Sequence, residues 1–110
     1  MDKNKKKPVQ VITTVDSDVT AKKIANQLVK ERIAACVQVI GPITSVYRWN
    51  NDMEGAFEWQ CVIKTCNTLL PEVEKLIRSM HPYEVPEIIV FPLTIGSEDY
   101  FNWIIDETKD

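Results

Sequence analysis

The run from Ile33 to Trp49 constrains this chain more than any other stretch. β-Branched and apolar residues fill it almost throughout, with Gly41-Pro42 in the middle. Such residues fit a pleated, half-buried surface, so the run reads as one long bent strand or two collinear ones. Gly and Pro within it mark a bulge or an edge position. Beyond Pro42, Ile43, Ser45, Tyr47 and Trp49 share one face, and Thr44, Val46 and Arg48 the other. An ordinary strand is about five or six residues long, so this ribbon must outrun its neighbours.

Shorter elements flank it. Val9 to Val15 predicts a first strand, and Asp16-Ser17-Asp18 supplies an N-cap and first-turn acids for a helix. In that helix Ala21, Ile24, Ala25, Leu28 and Val29 form one apolar face, opposite Lys22, Lys23, Asn26, Gln27, Lys30 and Glu31. After the ribbon, Asn50-Asn51-Asp52 is turn chemistry and Gly55 permits positive φ, which predicts a hairpin loop. Phe57, Trp59, Cys61 and Ile63 then alternate with Glu58, Gln60, Val62 and Lys64, a strand with one wet face. Asn67 or Thr68 caps a second helix, with Pro71 in its first turn and a stripe of Val73, Leu76, Ile77 and Met80. Pro82 and Pro86 exclude helix after His81 and push His81 and Val85 towards extended backbone. The apolar run Ile88 to Phe91 reads as a fourth strand, buried on both faces. Gly96-Ser97 turns the chain into a last helix, with Tyr100, Phe101, Ile104 and Ile105 inward and Trp103 on another surface.

The order is βαββαβ with an extra C-terminal helix. This is an α+β, ferredoxin-like arrangement of one antiparallel sheet with two helices on one face. Its second strand lies at an edge, where a bare apolar ribbon invites aggregation unless a partner subunit covers it. Trp49, Trp59 and Trp103 are the natural anchors for that partner. With 110 residues the chain is one domain, 9–110, preceded by a basic tail, 1–8, read as solvated and disordered.

Charge narrows the function classes. Residues 1–7 hold four lysines and one aspartate, +3, so the body 8–110 carries −3 − 3 = −6. An acidic body argues against a nucleic-acid partner. No apolar run approaches the roughly 18 residues that cross a bilayer, and no signal-peptide pattern opens the chain, so a cytoplasmic protein with no membrane partner is expected. Cys36, Cys61 and Cys66 are odd in number and lack a Cys-x-x-Cys spacing, in keeping with a reducing compartment.

Several motifs in order carry a resemblance: Thr13-Thr14, Arg32-Ile33-Ala34-Ala35-Cys36-Val37, Ile43-Thr44-Ser45-Val46-Tyr47-Arg48-Trp49, Ile63-Lys64-Thr65, His81-Pro82-Tyr83-Glu84-Val85-Pro86-Glu87-Ile88-Ile89, and Tyr100 with Trp103. Over residues 9–107 the chain resembles the CutA family of divalent-cation tolerance proteins. The resemblance implies a ferredoxin-like protomer that trimerises through its long second strand, a role in tolerance of copper and other divalent metals, and no established reaction. The chain departs from the family pattern at Asp16, Gln38 and Asn50-Asn51. Where copper-binding relatives place a cysteine and a second histidine it has Thr13 and Met80.

His81, the sole histidine, is the candidate ligand for Cu(II) or another divalent cation, with Glu84 beside it. The competing reading has His81 fixing its loop by hydrogen bonds or lining a subunit cleft. Arg48, Lys64, Tyr83 and Tyr100, with Tyr47, are candidates to line an inter-subunit pocket for a small anion. Alternatively, Arg48 and Lys64 make cross-strand pairs with Glu58 or Glu87. An enzyme is not expected: there is no glycine-rich phosphate loop, His-Glu-x-x-His or nucleophile elbow, and Cys66 has no second histidine to activate it. The sequence therefore predicts a homotrimeric divalent-cation (copper) tolerance protein that binds its ion or a small ligand between subunits. The alternatives are a PII-like trimeric sensor of a small anionic metabolite, or a ligand-free partner-binding trimer.

Overall fold

The structure, a computed structural model, describes residues 5–110; the expected tail up to Asn4 lies outside the described residues. The elements run β1 (Pro8–Val15), α1 (Asp18–Lys30), β2 (Cys36–Trp49), β3 (Asp52–Cys66), α2 (Leu70–Met80), β4 (Ile89–Pro92) and α3 (Glu98–Glu107). The antiparallel sheet has the order β2-β3-β1-β4, the ferredoxin-like arrangement, with β2 at one edge. Val9, Val11, Val15, Cys61 and Ile63 on its helix side close a core with Ala21, Ile24 and Leu28 of α1 and Val73 and Ile77 of α2. Ser17 caps α1, its Oγ accepting from the Thr20 amide at 3.1 Å.

α1 ends at Lys30, where its apolar pattern runs out, and it ends sharply. Arg32 takes φ 58°, the Arg32 amide donates to Val29 O and the Ile33 amide to Leu28 O, each at 3.0 Å. These reciprocal bonds form a Schellman turn, in which the left-handed position normally holds glycine. An L-residue there costs about 1–2 kcal/mol. Arg32 offsets that cost because its guanidinium donates to the carbonyls of Asp106 and Glu107 at the C-terminus of α3, both at 3.1 Å. The same carbonyl cluster receives Lys6, whose Nζ donates to Ile105 O at 2.8 Å and Thr108 O at 2.9 Å. Two cations thus satisfy the acceptors that a helix end leaves open. Lys6 is 3 % exposed, so the solvated tail expected over 1–8 does not extend to it. Ile33 to Ala35 belong to this turn and not to the strand, and Val29 is exposed.

β2 and β3 pair from Cys36↔Lys64 to Trp49↔Asp52, with a bulge between Ile40 and Ile43 where Gly41-Pro42 interrupts the ladder. The turn is shorter than the sequence suggests. Asn50 and Asn51 alone supply positive φ, at 50° and 69°, while Gly55 has negative φ inside β3 opposite Val46. Two positive-φ residues are what a type I′ hairpin requires, and Asn tolerates them. β1 pairs with β3 only as far as Val15↔Trp59, so the outer hairpin, residues 43–58, extends beyond β1. This explains why Phe57, on the face of β3 expected to be buried, is 68 % exposed. Val46, Tyr47, Trp49 and Met53 are exposed with it.

β4 also differs from expectation. It is the other edge, pairs only with β1, and leaves Ile89, Val90 and Phe91 half-exposed instead of buried on both faces. A continuous apolar run is ambiguous between a central strand and an edge with an uncovered side. In α3, Ile104 is buried, but Tyr100 turns outward and stacks on Trp103 with ring centres 5.5 Å apart.

The bulge is a packing-critical point. A Cβ added to Gly41 would lie 2.3 Å from Trp59 Cδ1. Gly41→Ala is expected to lower stability by about 1–3 kcal/mol, the usual cost of overpacking. Urea unfolding followed by tryptophan emission measures it; an unchanged midpoint would contradict this packing.

Candidate functional site

The segment between α2 and β4 is tied to the sheet at two points. His81 ends α2 with extended backbone, φ −84° and ψ 132°, as the following proline requires. Its ring then reaches β1, with Nε2 2.8 Å from Thr14 O, while the Tyr83 amide approaches Nδ1 at 3.1 Å. An amide can only donate, so Nδ1 holds its lone pair and Nε2 carries the proton that goes to the Thr14 carbonyl. The imidazole is neutral and both nitrogens are used. Two residues on, the Tyr83 hydroxyl donates to Glu58 Oε2 at 2.7 Å, with the Tyr83 ring edge-on to His81 at 4.8 Å between centres.

Glu58 follows from this second tie. Alternation places it on a solvent face of β3, yet it is only 7 % exposed because the loop lies over it. Burial pushes the Tyr83 phenol above its usual range, and the bond to Glu58 and the charge of that carboxylate push it further.

Between the loop and the root of the outer hairpin lies a cleft of about 580 Å³. Tyr83, Glu84, Val85 and Glu87 form its loop side; Ser45, Tyr47, Trp49 and Glu58 its strand side, with Thr14 behind. Three carboxylates and three aromatic rings share one concavity, and among the described residues no lysine or arginine lines it.

The candidates from the sequence separate accordingly. Glu84 and Tyr83 line the cleft. His81 does not: it holds the loop, and neither nitrogen has a lone pair left for a metal. Arg48 Nη2 lies 3.4 Å from Asn51 O at the hairpin turn, and Lys64 Nζ donates to Gln38 Oε1 at 3.1 Å, so neither faces the cleft or pairs with Glu58 or Glu87. Tyr100 lies against Cys36 and Trp103 at the α3 end of the sheet; burial, then the Cys36 contact, pushes its phenol up. Cys66 is buried beside Thr108 Oγ1 at 3.5 Å, and Cys61 is buried with its thiol pushed up to about 11; neither lines the cleft. Thr13 is buried towards the core, its hydroxyl without a partner, and takes no part in the cleft. Among the described residues no three His, Cys, Asp or Glu side chains converge on one point that could hold an ion. A bare metal ion therefore finds no closed ligand set within one protomer.

Comparison with known proteins agrees with this fold. Residues 9–107 match the family described as CutA1 divalent ion tolerance protein. The divalent-cation tolerance protein CutA of Thermus thermophilus is 37% identical over 98 residues, covering 89% of this chain and 95% of that one. Protein CutA, chloroplastic, of Arabidopsis thaliana is 36% identical over 102 residues, 93% of this chain but only 56% of that protein. The crystal structure of CutA1 from the psychrotrophic bacterium Shewanella sp. SIB1 superposes with a TM-score of 0.91 at 37% identity, covering 96% of this chain and 99% of that one.

The Tyr83–Glu58 bond has a pH signature. Because the folded-state pKa of Tyr83 lies above its ordinary value near 10, its contribution to stability is complete below pH 10 and declines as pH rises further. Tyr83→Phe is expected to cost about 1–3 kcal/mol at neutral pH, since Glu58 stays buried without its donor, and to reduce that alkaline decline. Denaturant midpoints from neutral to strongly alkaline pH measure both; parallel curves for the two proteins would contradict the assignment.

Proposed function

Since the chain belongs to the CutA1 divalent ion tolerance protein family, we propose that it serves divalent-cation tolerance as a homotrimer that binds its ligand without transforming it, and that the ligand is a cation held in the acidic cleft. The carrying observation is the charge pattern. Glu58, Glu84 and Glu87 line the cleft, whereas Arg48 and Lys64 are engaged elsewhere. This arrangement attracts positive charge and repels a small anionic metabolite, so the PII-like alternative lacks its cationic partner.

The trimer rests on surface that one chain cannot cover. The hairpin carries Val46, Met53 and Phe57 on one side and Tyr47 and Trp49 on the other, and β4 offers a second uncovered edge. Exposed apolar area of this kind marks an interface. A copper or other divalent ion would meet carboxylate oxygens and retained water here, a donor set suited to hard cations. Binding without chemistry suits a cleft whose described lining holds neither histidine nor cysteine. The free cysteines suit a reducing, cytoplasmic setting.

One sample tests the reading. Sedimentation at micromolar concentration is expected to show a trimer, and calorimetry on that trimer to show saturable heat with Cu(II) or Mn(II) but none with inorganic phosphate. Glu84→Gln with Glu87→Gln is expected to weaken cation binding about ten-fold or more, the usual scale for lost charged contacts. A stable monomer, or phosphate binding without cation binding, would overturn it.

A further inference from the structure

The geometry points to an elongated organic dication, a linear diammonium compound, as the preferred occupant of the cleft. This deepens the cation-binding reading above and rests on it.

Two features of the cleft disfavour a compact ion. Its carboxylates are spread over the walls and not gathered: Glu58 belongs to the strand side, Glu84 and Glu87 to the loop side, and they do not converge on a point that could hold a metal. Its volume, about 580 Å³, is that of a site for a small organic molecule and far exceeds a metal coordination sphere.

Two further features favour separated ammonium groups joined by an apolar chain. Tyr47, Trp49 and Tyr83 line the cleft together with the acids. Aromatic faces attract ammonium groups and also pack against methylenes, whereas a hydrated metal ion gains little from them. Glu58 is more than nine-tenths buried, and its hydrogen bond from Tyr83 uses Oε2. Its other oxygen, Oε1, is the proposed acceptor for one ammonium group, and the exposed Glu84 and Glu87 receive the other. An ammonium group carries three donors and no acceptor, so it matches the three carboxylates of this lining. The His81 and Tyr83 ties hold the loop in place before binding, which lowers the ordering cost of a flexible ligand.

The probe is putrescine, titrated into the full-length assembled protein by calorimetry and by tryptophan emission, with Mn(II) as the comparison cation. Expected are saturable heat, a change in emission from Trp49, and affinity about ten-fold or more above that for Mn(II), as desolvated cation–π and carboxylate contacts add. Glu84→Gln with Glu87→Gln, both exposed and so harmless to the fold, is expected to weaken putrescine about ten-fold or more. Trp49→Phe, which keeps an aromatic ring at this position, is expected to remove the emission change while the heat of binding persists. Silence with millimolar putrescine, or binding that the double variant leaves undiminished, overturns the inference. If Mn(II) still binds in a manner sensitive to the double variant while putrescine is silent, only the organic ligand is lost and the cation-binding cleft stands. If neither cation binds, both fall.

Discussion

A single imidazole, held at both nitrogens, determines where the segment between α2 and β4 lies, and the cleft depends on that placement. The order of causes is short. Pro82 keeps His81 out of helical backbone, so the ring leaves the end of α2 towards β1 and meets the Thr14 carbonyl. The Tyr83 amide closes on the free nitrogen, which turns the Tyr83 side chain down onto Glu58. A carboxylate on the open face of a sheet then becomes a buried one, and the space between loop and hairpin becomes a walled concavity. Hydrogen bonds of this kind contribute about 0.5–1.5 kcal/mol each, with those to a charged partner contributing more. Their joint effect is positional: three of them fix a loop that has no regular structure of its own.

The hairpin supplies the other wall and raises a separate physical problem. A two-stranded ribbon is at best marginally stable alone in water, yet residues 43–58 extend past β1 with apolar side chains on both faces. The body of the domain is well closed by contrast, with its core between the sheet and two helices, and with Lys6 ahead of β1 and Arg32 after α1 bound to the C-terminal carbonyls of α3. The sequence therefore supports a protomer that is complete in its body and incomplete in its arm. A second chain covering that arm would also border the cleft, since Tyr47 and Trp49 belong to both.

Much of this architecture is legible in the residues. Period-3.6 spacing locates α1 and α2, the Gly41-Pro42 break locates the bulge, and the element order gives the ferredoxin-like sheet with β2 outermost. What is not legible has a physical cause in each case. Ile33 and Ala34 are apolar enough for a strand, but the Schellman turn needs them to close over α1, and the arginine at its left-handed position hides the usual glycine signal. Glu58 and Phe57 exchange expected environments because burial there is decided by a loop distant in sequence and by where β1 stops, neither of which alternation records. The same holds for the site. The sequence singles out His81, Tyr83 and Glu84 together, but their roles divide once His81 turns towards β1, and Arg48, Lys64 and Tyr100 point to other parts of the surface. The resemblance to a metal-tolerance family brings His81 to mind as a ligand; the two hydrogen bonds make it a clamp.

That distinction can be read directly, because the chain contains one histidine. Nitrogen NMR of the imidazole reports which nitrogen carries the proton and whether either binds a metal. The account predicts a neutral ring with the proton on Nε2, Nδ1 accepting a hydrogen bond, and both resonances unmoved by a diamagnetic divalent ion such as Zn(II). A proton on Nδ1, or a nitrogen shift on adding that ion, would contradict it.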